Sequence, residues 1–452
     1  MEKNHHFLLL CYPAQGHINP IFQFAKQLAR GGACVTLATT VHGLTRIRSF
    51  PTHHRLFFAS FSDGYDEGRP PGVGSRTLSD LINSLSEKGT PVTMLIYSLI
   101  LPWVASVARD FNLPTAFFCA QSATSLAIFQ KYFKIDYTPE ISIKLPGLPL
   151  FTGDDIPSFL LPTSMFHSMK PIFKEHIQVL EQDPNSIVLI NTFTALEKES
   201  IQGIDHIRMI PIGPLIPSAF SDETDPSDRF YGIDLFEGSN DYYLQWLDSK
   251  PCKSVIYISF GSLASLKKRQ VEELLNGLID CNRAFLWVTK SVNSDEEIKT
   301  MVEEGMRNAG ADGLVVPWCS QVEVLSHKAV GCFLTHCGWN STMESMTAGV
   351  PLVALPQFSD QVTNAKMVEE VWGVGVKAKA KTKAKAEEET AEAEMVVGRE
   401  EIKRCLEIVM ENGEKREEIR NNVARWRDLA LEAVKEGGSS HQNFKQFLQI
   451  TN

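Results

Sequence analysis

The sequence predicts an α/β protein built from two doubly wound parallel sheets, and three observations lead there. At 452 residues the chain is too long for one ordinary core, so two domains are expected. In both halves short apolar runs alternate with helix-length segments, the pattern of strand–helix–strand units with right-handed crossovers. Near residue 338 an apolar run breaks at a glycine and a helical segment follows, a third such unit with a distinct turn.

The first strand is Phe7 to Tyr12, followed by the loop Pro13-Ala14-Gln15-Gly16-His17 and a helix from about Ile18 to Arg30. Pro20 is expected in the first turn of that helix, where a missing N–H does no harm. Gly31-Gly32 ends the helix and Ala33 to Thr39 is the second strand. The pattern recurs with strand Val92 to Tyr97, a helix around Leu101 to Phe111 and strand Thr115 to Cys119, and Ser186 to Thr192 completes most of this sheet. Residues 140 to 180, rich in Pro, Phe and Met, read as irregular. Pro217 to Asn240 is polar, acidic and proline-bearing, and is taken as a linker. The second sheet starts with strand Ser254 to Phe260, a helix from about Lys267 to Cys281, and strands Ala284 to Val288 and Gly313 to Trp318. A low-complexity tract, with Lys at 377 to 385 and Glu at 387 to 394, reads as a solvated, mobile loop.

Composition narrows the class. Hydrophobic content of 43% and charged content of 22% are those of a soluble globular enzyme. A net charge of −10 argues against nucleic acid as a partner. The N-terminal apolar run is too short for a signal sequence, and no run approaches the roughly 18 apolar residues of a membrane span, so no membrane is implied. Nine cysteines without a C-x-x-C pair read as reduced thiols of a cytoplasmic protein. Among them Cys319, Cys332 and Cys337 read as core residues rather than metal ligands.

The chemistry concentrates between Trp318 and Gln361. Cys332 to Cys337 is one buried parallel strand, Gly338 breaks it, and Trp339 to Ala348 is a helix. That geometry aims helix N-terminal amides and their partial positive charge at a phosphate. Asn340, Ser341 and Glu344 share one helical face by their spacing. Asn340 and Ser341 would meet the phosphate, Glu344 suits a ribose hydroxyl pair, and His336 ends the strand where a second phosphate donor would sit.

This stretch, W-x2-Q, H-C-G-W-N-S, E and a closing D-Q, resembles the signature box of plant family 1 UDP-dependent glycosyltransferases. P-A-Q-G-H-I-N-P, L-P-G-L-P-L, V-L-I-N-T-F-x-A-L-E, I-P-I-G-P-L-I-P-S and S-V-I-Y-I-S-F-G-S are similar to family segments as well. The resemblance implies the GT-B architecture, two Rossmann-like doubly wound domains facing across a cleft. It places an acceptor-binding domain at 1–216, a linker at 217–240 and a UDP-sugar-binding domain at 241–438, with a last helix within 439–452, around Asn443 to Ile450, returning to the first domain. On the donor side it implies that Trp318 stacks on uracil, with the Cys319 backbone and Gln321 holding base and ribose. Glu344 takes the ribose hydroxyls, and His336, Asn340, Ser341 and Ser262 hold the diphosphate. Trp339, Asp360 and Gln361 read the sugar, and Gln361 favours glucose. Residues 140 to 180 would wall the acceptor pocket, where Phe117, Phe118, Phe159, Phe166, Phe173 and Trp103 are candidate lining residues, most of them expected in the core.

His17 is the candidate general base, at a strand end where the helix dipole disfavours the imidazolium. Its G-H-x-N-P setting matches the catalytic motif of the family. Most members carry an aspartate that orients the histidine; here Ser98 stands at that place, and no acidic residue is near. Two readings remain. Ser98, Gln121 or Thr124 holds the ring by hydrogen bonding, or the acceptor needs little base assistance, as a carboxylic acid ionised near pH ~4 would. The substitution resembles the branch holding anthocyanin 5-O-glucosyltransferases and enzymes that form glucose esters of crocetin or indole-3-acetate.

These readings imply an inverting UDP-glucose-dependent glucosyltransferase acting on a small apolar metabolite, with a carboxylate favoured over a phenol of the flavonoid or anthocyanin type. No D-x-D motif stands near the donor box, so neither a metal nor another cofactor is expected, and a monomer is the default. The rival from another class is a nucleotide-sugar-binding protein with weakened catalysis. A dehydrogenase is excluded, because the turn Gly261-Ser262-Leu263 has no G-x-G-x-x-G.

Overall fold

Strands buried on both faces read as unbroken apolar runs, and β1 (His6–Leu10), β4 (Met94–Ser98) and the buried part of β5 (Thr115–Cys119) are of that kind. β2 (Cys34–Thr40), β3 (Leu56–Phe61), β8 (Ile187–Ile190) and β9 (Arg208–Pro211) join them in a seven-stranded parallel sheet ordered β3-β2-β1-β4-β5-β8-β9. The order reverses between β1 and β4, so the carboxyl ends of these two strands, which lead to His17 and Ser98, flank a switch point. A short antiparallel pair, β6 (Ile143–Lys144) and β7 (Leu150–Phe151), lies between β5 and β8 in the chain.

A second parallel sheet contains β10 (Val255–Ser259), β11 (Phe285–Val288), β12 (Gly313–Val316), β13 (Val330–Thr335), β14 (Leu352–Ala354) and β15 (Gly375–Lys377), ordered β12-β11-β10-β13-β14-β15. Its switch point lies between β10 and β13, which puts the turn bearing Ser262 beside the turn bearing His336. The structure is a computed structural model and describes residues 5–45, 47, 54–63, 73–135, 141–222, 224–229, 242–289, 295–380 and 396–451. Two compact units emerge, residues 1–235 with 430–452, and residues 236–429.

Several local readings change. The first helix is Gln15–Arg30, beginning after an extended Ala14, so His17 lies in its first turn rather than in the preceding loop. Pro20 is therefore the sixth helical residue, past the first turn, and removes an amide that would bond the carbonyl of Gly16. The segment read as irregular contains a thirteen-residue helix, Lys170–Gln182, whose Phe173, His176, Ile177 and Leu180 are buried. The strands Leu56–Phe61, Arg208–Pro211, Leu352–Ala354 and Gly375–Lys377 are additional to those anticipated. They are short, and their pairing in the sheet rather than local sequence defines them.

The start of the presumed linker is bound to the first helix: Asp228 pairs with Lys26 at 2.6 Å and Arg30 at 2.8 Å, and Asp225 with Arg30 at 3.1 Å. The last helix, Ser439–Ile450, packs on the first unit. There Ser440 Oγ donates to the Gly213 carbonyl, Asn443 Nδ2 donates to that of Pro211, and the Phe447 ring lies 6.0 Å from Phe7 and 6.1 Å from Phe24. Most of the Lys/Glu tract, from 381 onward, lies outside the described residues.

Candidate active site

In the first unit, β1 delivers Tyr12 and the loop before the helix Gln15–Arg30. The His17 ring is half-buried and edge-on to Tyr12, centroids 5.9 Å apart at 73°. Its Nδ1 is buried and has no hydrogen-bond partner among the described residues. Burial alone pushes its pKa down to about 4, because removing water penalises the imidazolium and no carboxylate offsets that loss.

None of the three residues expected to hold this ring does so. Ser98 is fully buried and its Oγ accepts the Tyr12 N–H at 3.2 Å. Thr124 Oγ1 is engaged by Glu197 at 2.8 Å and Ser200 at 2.7 Å, and Gln121 Oε1 is buried without a partner among the described residues. The physical reason is that Ser98 ends β4 beside a backbone amide that needs an acceptor, and Thr124 opens a helix that Glu197 caps through the amides of residues 123 and 124. The ring candidates for the acceptor wall mostly form core. Phe129, Phe159 and Phe173 make one buried cluster, Phe159 stacking on Phe173 at 3.8 Å, and Phe117 and Phe118 are also buried. Trp103 packs edge-on to Phe61 and against Gly74, whereas Phe166 is exposed.

In the second unit the box residues converge. Gln321 Nε2 donates to Ser341 Oγ at 2.9 Å and to Glu344 Oε2 at 2.7 Å. Its Oε1 accepts from Tyr257 Oη at 3.1 Å, and Tyr257 also meets the Cys319 thiol at 3.4 Å. Tyr257 comes from β10 and was not singled out by sequence, although the apolar run S-V-I-Y-I-S carries it. Its phenol fixes which end of the Gln321 amide faces Glu344. Trp318 is half-buried beside them, and Cys319 is buried with its thiol pushed up to about 12 by desolvation. Cys332 and Cys337 are core residues as well.

The helix Trp339–Ala348 starts at Gly338 with no side chain capping it, which suits an anion at its N-terminus. His336 sits between two glycine turns. A methyl on Gly261 would stand 2.7 Å from His336 Nε2, and one on Gly338 only 2.5 Å away. Burial pushes the His336 pKa down to about 4 against a hydrogen bond to the Ser259 backbone, so the ring is neutral and its one N–H is engaged by that carbonyl. Ser262 follows Gly261, whose φ of +72° glycine tolerates.

Trp339, expected to read the sugar, is the first residue of that helix. Its indole is 3% exposed and packs 6.0 Å from Trp372, so most of that side chain belongs to the core. Asp360 and Gln361 are buried and held by their own loop. Gln361 Oε1 accepts the amides of Gln357 at 2.9 Å and Phe358 at 3.0 Å. Asn364 links this loop to the box: its Nδ2 donates to Asp360 Oδ2 and to the Cys337 carbonyl, both at 3.0 Å, and Cys337 has a left-handed φ of +58°. Its place four residues after Asp360 was the available signal. Among the described residues no group of three or more His, Cys, Asp or Glu side chains could hold a metal ion, and no helix is long and apolar enough to cross a membrane.

The family model for UDP-glucoronosyl and UDP-glucosyl transferase matches residues 242–409, which contain the stretch from Trp318 to Gln361. The chain is 45% identical over 478 residues to "Crocetin glucosyltransferase, chloroplastic" of Gardenia jasminoides, covering 99% of this chain and 98% of that one. It is also 45% identical over 467 residues to "Anthocyanidin 3-O-glucoside 5-O-glucosyltransferase" of Verbena hybrida, covering 98% of each. Os79 from O. sativa, solved in complex with UDP, matches with a TM-score of 0.86 at 33% identity, covering 99% of this chain and 100% of Os79. With its two parallel-sheet domains of the GT-B class, the chain belongs to the plant UDP-glycosyltransferases.

Proposed function

We propose that the protein moves glucose from UDP-glucose, with inversion, to the carboxylate of a small apolar metabolite, forming a β-glucose ester. The observation that carries this reading is the missing partner of His17 Nδ1. A base whose conjugate acid ionises near pH 4 is poorly matched to a phenol ionising near ~10; complete proton transfer would run uphill by about 8 kcal/mol. A carboxylate arrives already ionised. Its oxygen forms the new bond to the anomeric carbon, the bond to the diphosphate breaks, and the electron pair leaves on UDP. No proton needs a destination, and neutral His17 serves to orient the acceptor.

On the donor side, Trp318 stacks on the uracil, with the Cys319 backbone beside it. Gln321 and Glu344 hold the ribose, and Ser262, His336, Asn340, Ser341 and the Trp339 amide face the diphosphate. Asp360 and Gln361 read glucose. The amides of the helix terminus and the hydroxyls beside it stabilise the leaving charge without a metal. The acceptor domain would be 1–216 with 439–452, the donor domain 241–438, and the working form a cytoplasmic monomer.

A phenolic acceptor is the second reading. The buried, unpartnered Gln121 Oε1 favours an acceptor bearing an O–H, and the Verbena relative is named for a 5-O-glucosyl transfer. A UDP-glucose transfer assay against an apolar carboxylic acid and a flavonoid phenol, with products tested for alkali lability, separates the two. Turnover on the acid to an alkali-labile product supports the ester; equal or better turnover on the phenol overturns it.

A further inference from the structure

His176 lies on the helix Lys170–Gln182, remote in sequence from the other site residues, and is 2% exposed. Its ring stacks on Tyr97 at 6.1 Å and 12° and lies 4.8 Å from Phe117, so it is held between the carboxyl ends of β4 and β5. Its Nε2 accepts the Ile100 N–H at 3.0 Å, which puts the ring proton on Nδ1, and Nδ1 has no partner among the described residues. Burial presses the pKa to about 3, so the ring remains a hydrogen-bond acceptor at any working pH.

The partner is unusual. Ile100 has φ of +77°, a left-handed conformation that a β-branched residue rarely adopts and that surrounding structure must impose. It stands two residues past Ser98, whose hydroxyl takes the Tyr12 amide. Tyr12 opens the loop into the helix that carries His17, and its ring touches the His17 ring edge-on. Because no side chain holds His17 Nδ1, the direction of that ring depends on its backbone and on Tyr12.

We infer that His176 is a positioning residue for His17: it fixes the strained Ile100 turn, the turn fixes Ser98, and Ser98 fixes the Tyr12 end of the catalytic loop. The inference rests on the reading of His17 as the group that faces the acceptor.

The test combines His176→Phe, His176→Gln and His17→Ala with Ile100→Gly, which accepts the left-handed turn without strain. Turnover and KM for the acceptor, UDP affinity and the nitrogen chemical shifts of His17 are measured on the full chain. His176→Phe should lower kcat at least tenfold with UDP affinity within twofold, His176→Gln should retain more activity, and Ile100→Gly should restore part of the loss. In the His17→Ala background, His176→Phe should change the residual rate less than twofold. A role in packing alone predicts lower stability with unchanged kcat and unmoved His17 shifts, and that result overturns the inference, as does full additivity with His17→Ala. If His176→Phe does not fold, His176→Leu, which also lacks an acceptor for the Ile100 N–H, decides: a threefold or greater loss of kcat reversed by Ile100→Gly supports the inference, and anything else overturns it. Undiminished turnover in His17→Ala alone would refute the role of His17 itself; an inactive His17→Ala beside a fully active His176→Phe would refute only the part of His176.

Discussion

Gln321 donates to Glu344 at 2.7 Å while its amide oxygen is held by Tyr257, so the carboxylate that would face a ribose is oriented by a glutamine that is itself oriented by a strand residue. Removing Gln321 takes one donor from Glu344. Since a hydrogen bond to a charged group contributes about 1.5–3 kcal/mol, Gln321→Ala should weaken UDP binding roughly 10- to 100-fold. Tyr257→Phe, which loses a neutral bond, should cost about 3- to 10-fold. Titration calorimetry with UDP checks both, and equal effects from the two variants would contradict this order.

His336 is framed by glycines with no spare space. Gly338→Ala should displace its ring, because the added methyl would stand 2.5 Å from Nε2. Gly261→Ala adds backbone strain of about 1–2 kcal/mol at φ +72°. Both variants should lose transfer activity at least tenfold while the melting temperature falls only a few degrees. A Gly338→Ala enzyme with unchanged UDP-glucose KM would show that the ring need not stay where it is.

Of the four histidines that burial holds below their ordinary range, His6, His17, His176 and His336, three carry the largest shifts: His17 and His336 at about 4 and His176 at about 3. Each is neutral in the fold, yet the unfolded chain protonates it near 6.5, so the unfolded state binds more protons across this window. Their contribution to stability is therefore complete above about pH 6.5 and is lost as pH falls toward 4, by at most about 1.4 kcal/mol per unit for each group. Melting curves should show a marked drop in Tm between pH 7 and 5, with a smaller drop in His176→Gln. Activity toward a carboxylic acid should be nearly flat above pH 6. A rate that keeps rising through pH 8 would mean that a proton must still be removed.

Ser98→Asp should supply what His17 lacks. A carboxylate at this buried strand end would retain the Tyr12 amide as a donor and give the imidazolium a counter-charge, raising the His17 pKa. General base catalysis is worth roughly 10² to 10⁴, so turnover on a phenol should rise at least about tenfold relative to turnover on an acid. An unchanged ratio of the two rates would show that the acceptor choice lies elsewhere.

Much of this was legible in the chain. Strands such as Phe7–Leu10 and Leu95–Tyr97 are continuous apolar runs because both faces of a parallel sheet are covered, and that signal is local. The glycine break at Gly338 and the spacing of Asn340, Ser341 and Glu344 likewise reveal a helix terminus and one face of it without any knowledge of packing. Short edge strands such as Gly375–Lys377 carry no such signal, because a neighbour in the sheet defines them. What only the tertiary structure decided is where side chains spend their hydrogen bonds and surface. It turned the Trp339 indole into the core, gave the Ser98 hydroxyl to Tyr12 rather than His17, and brought His176 to Ile100 across 76 residues. Sequence spacing reports which residues share an element. Competition for a buried donor or acceptor is settled among residues distant in the chain, and it leaves no periodic trace.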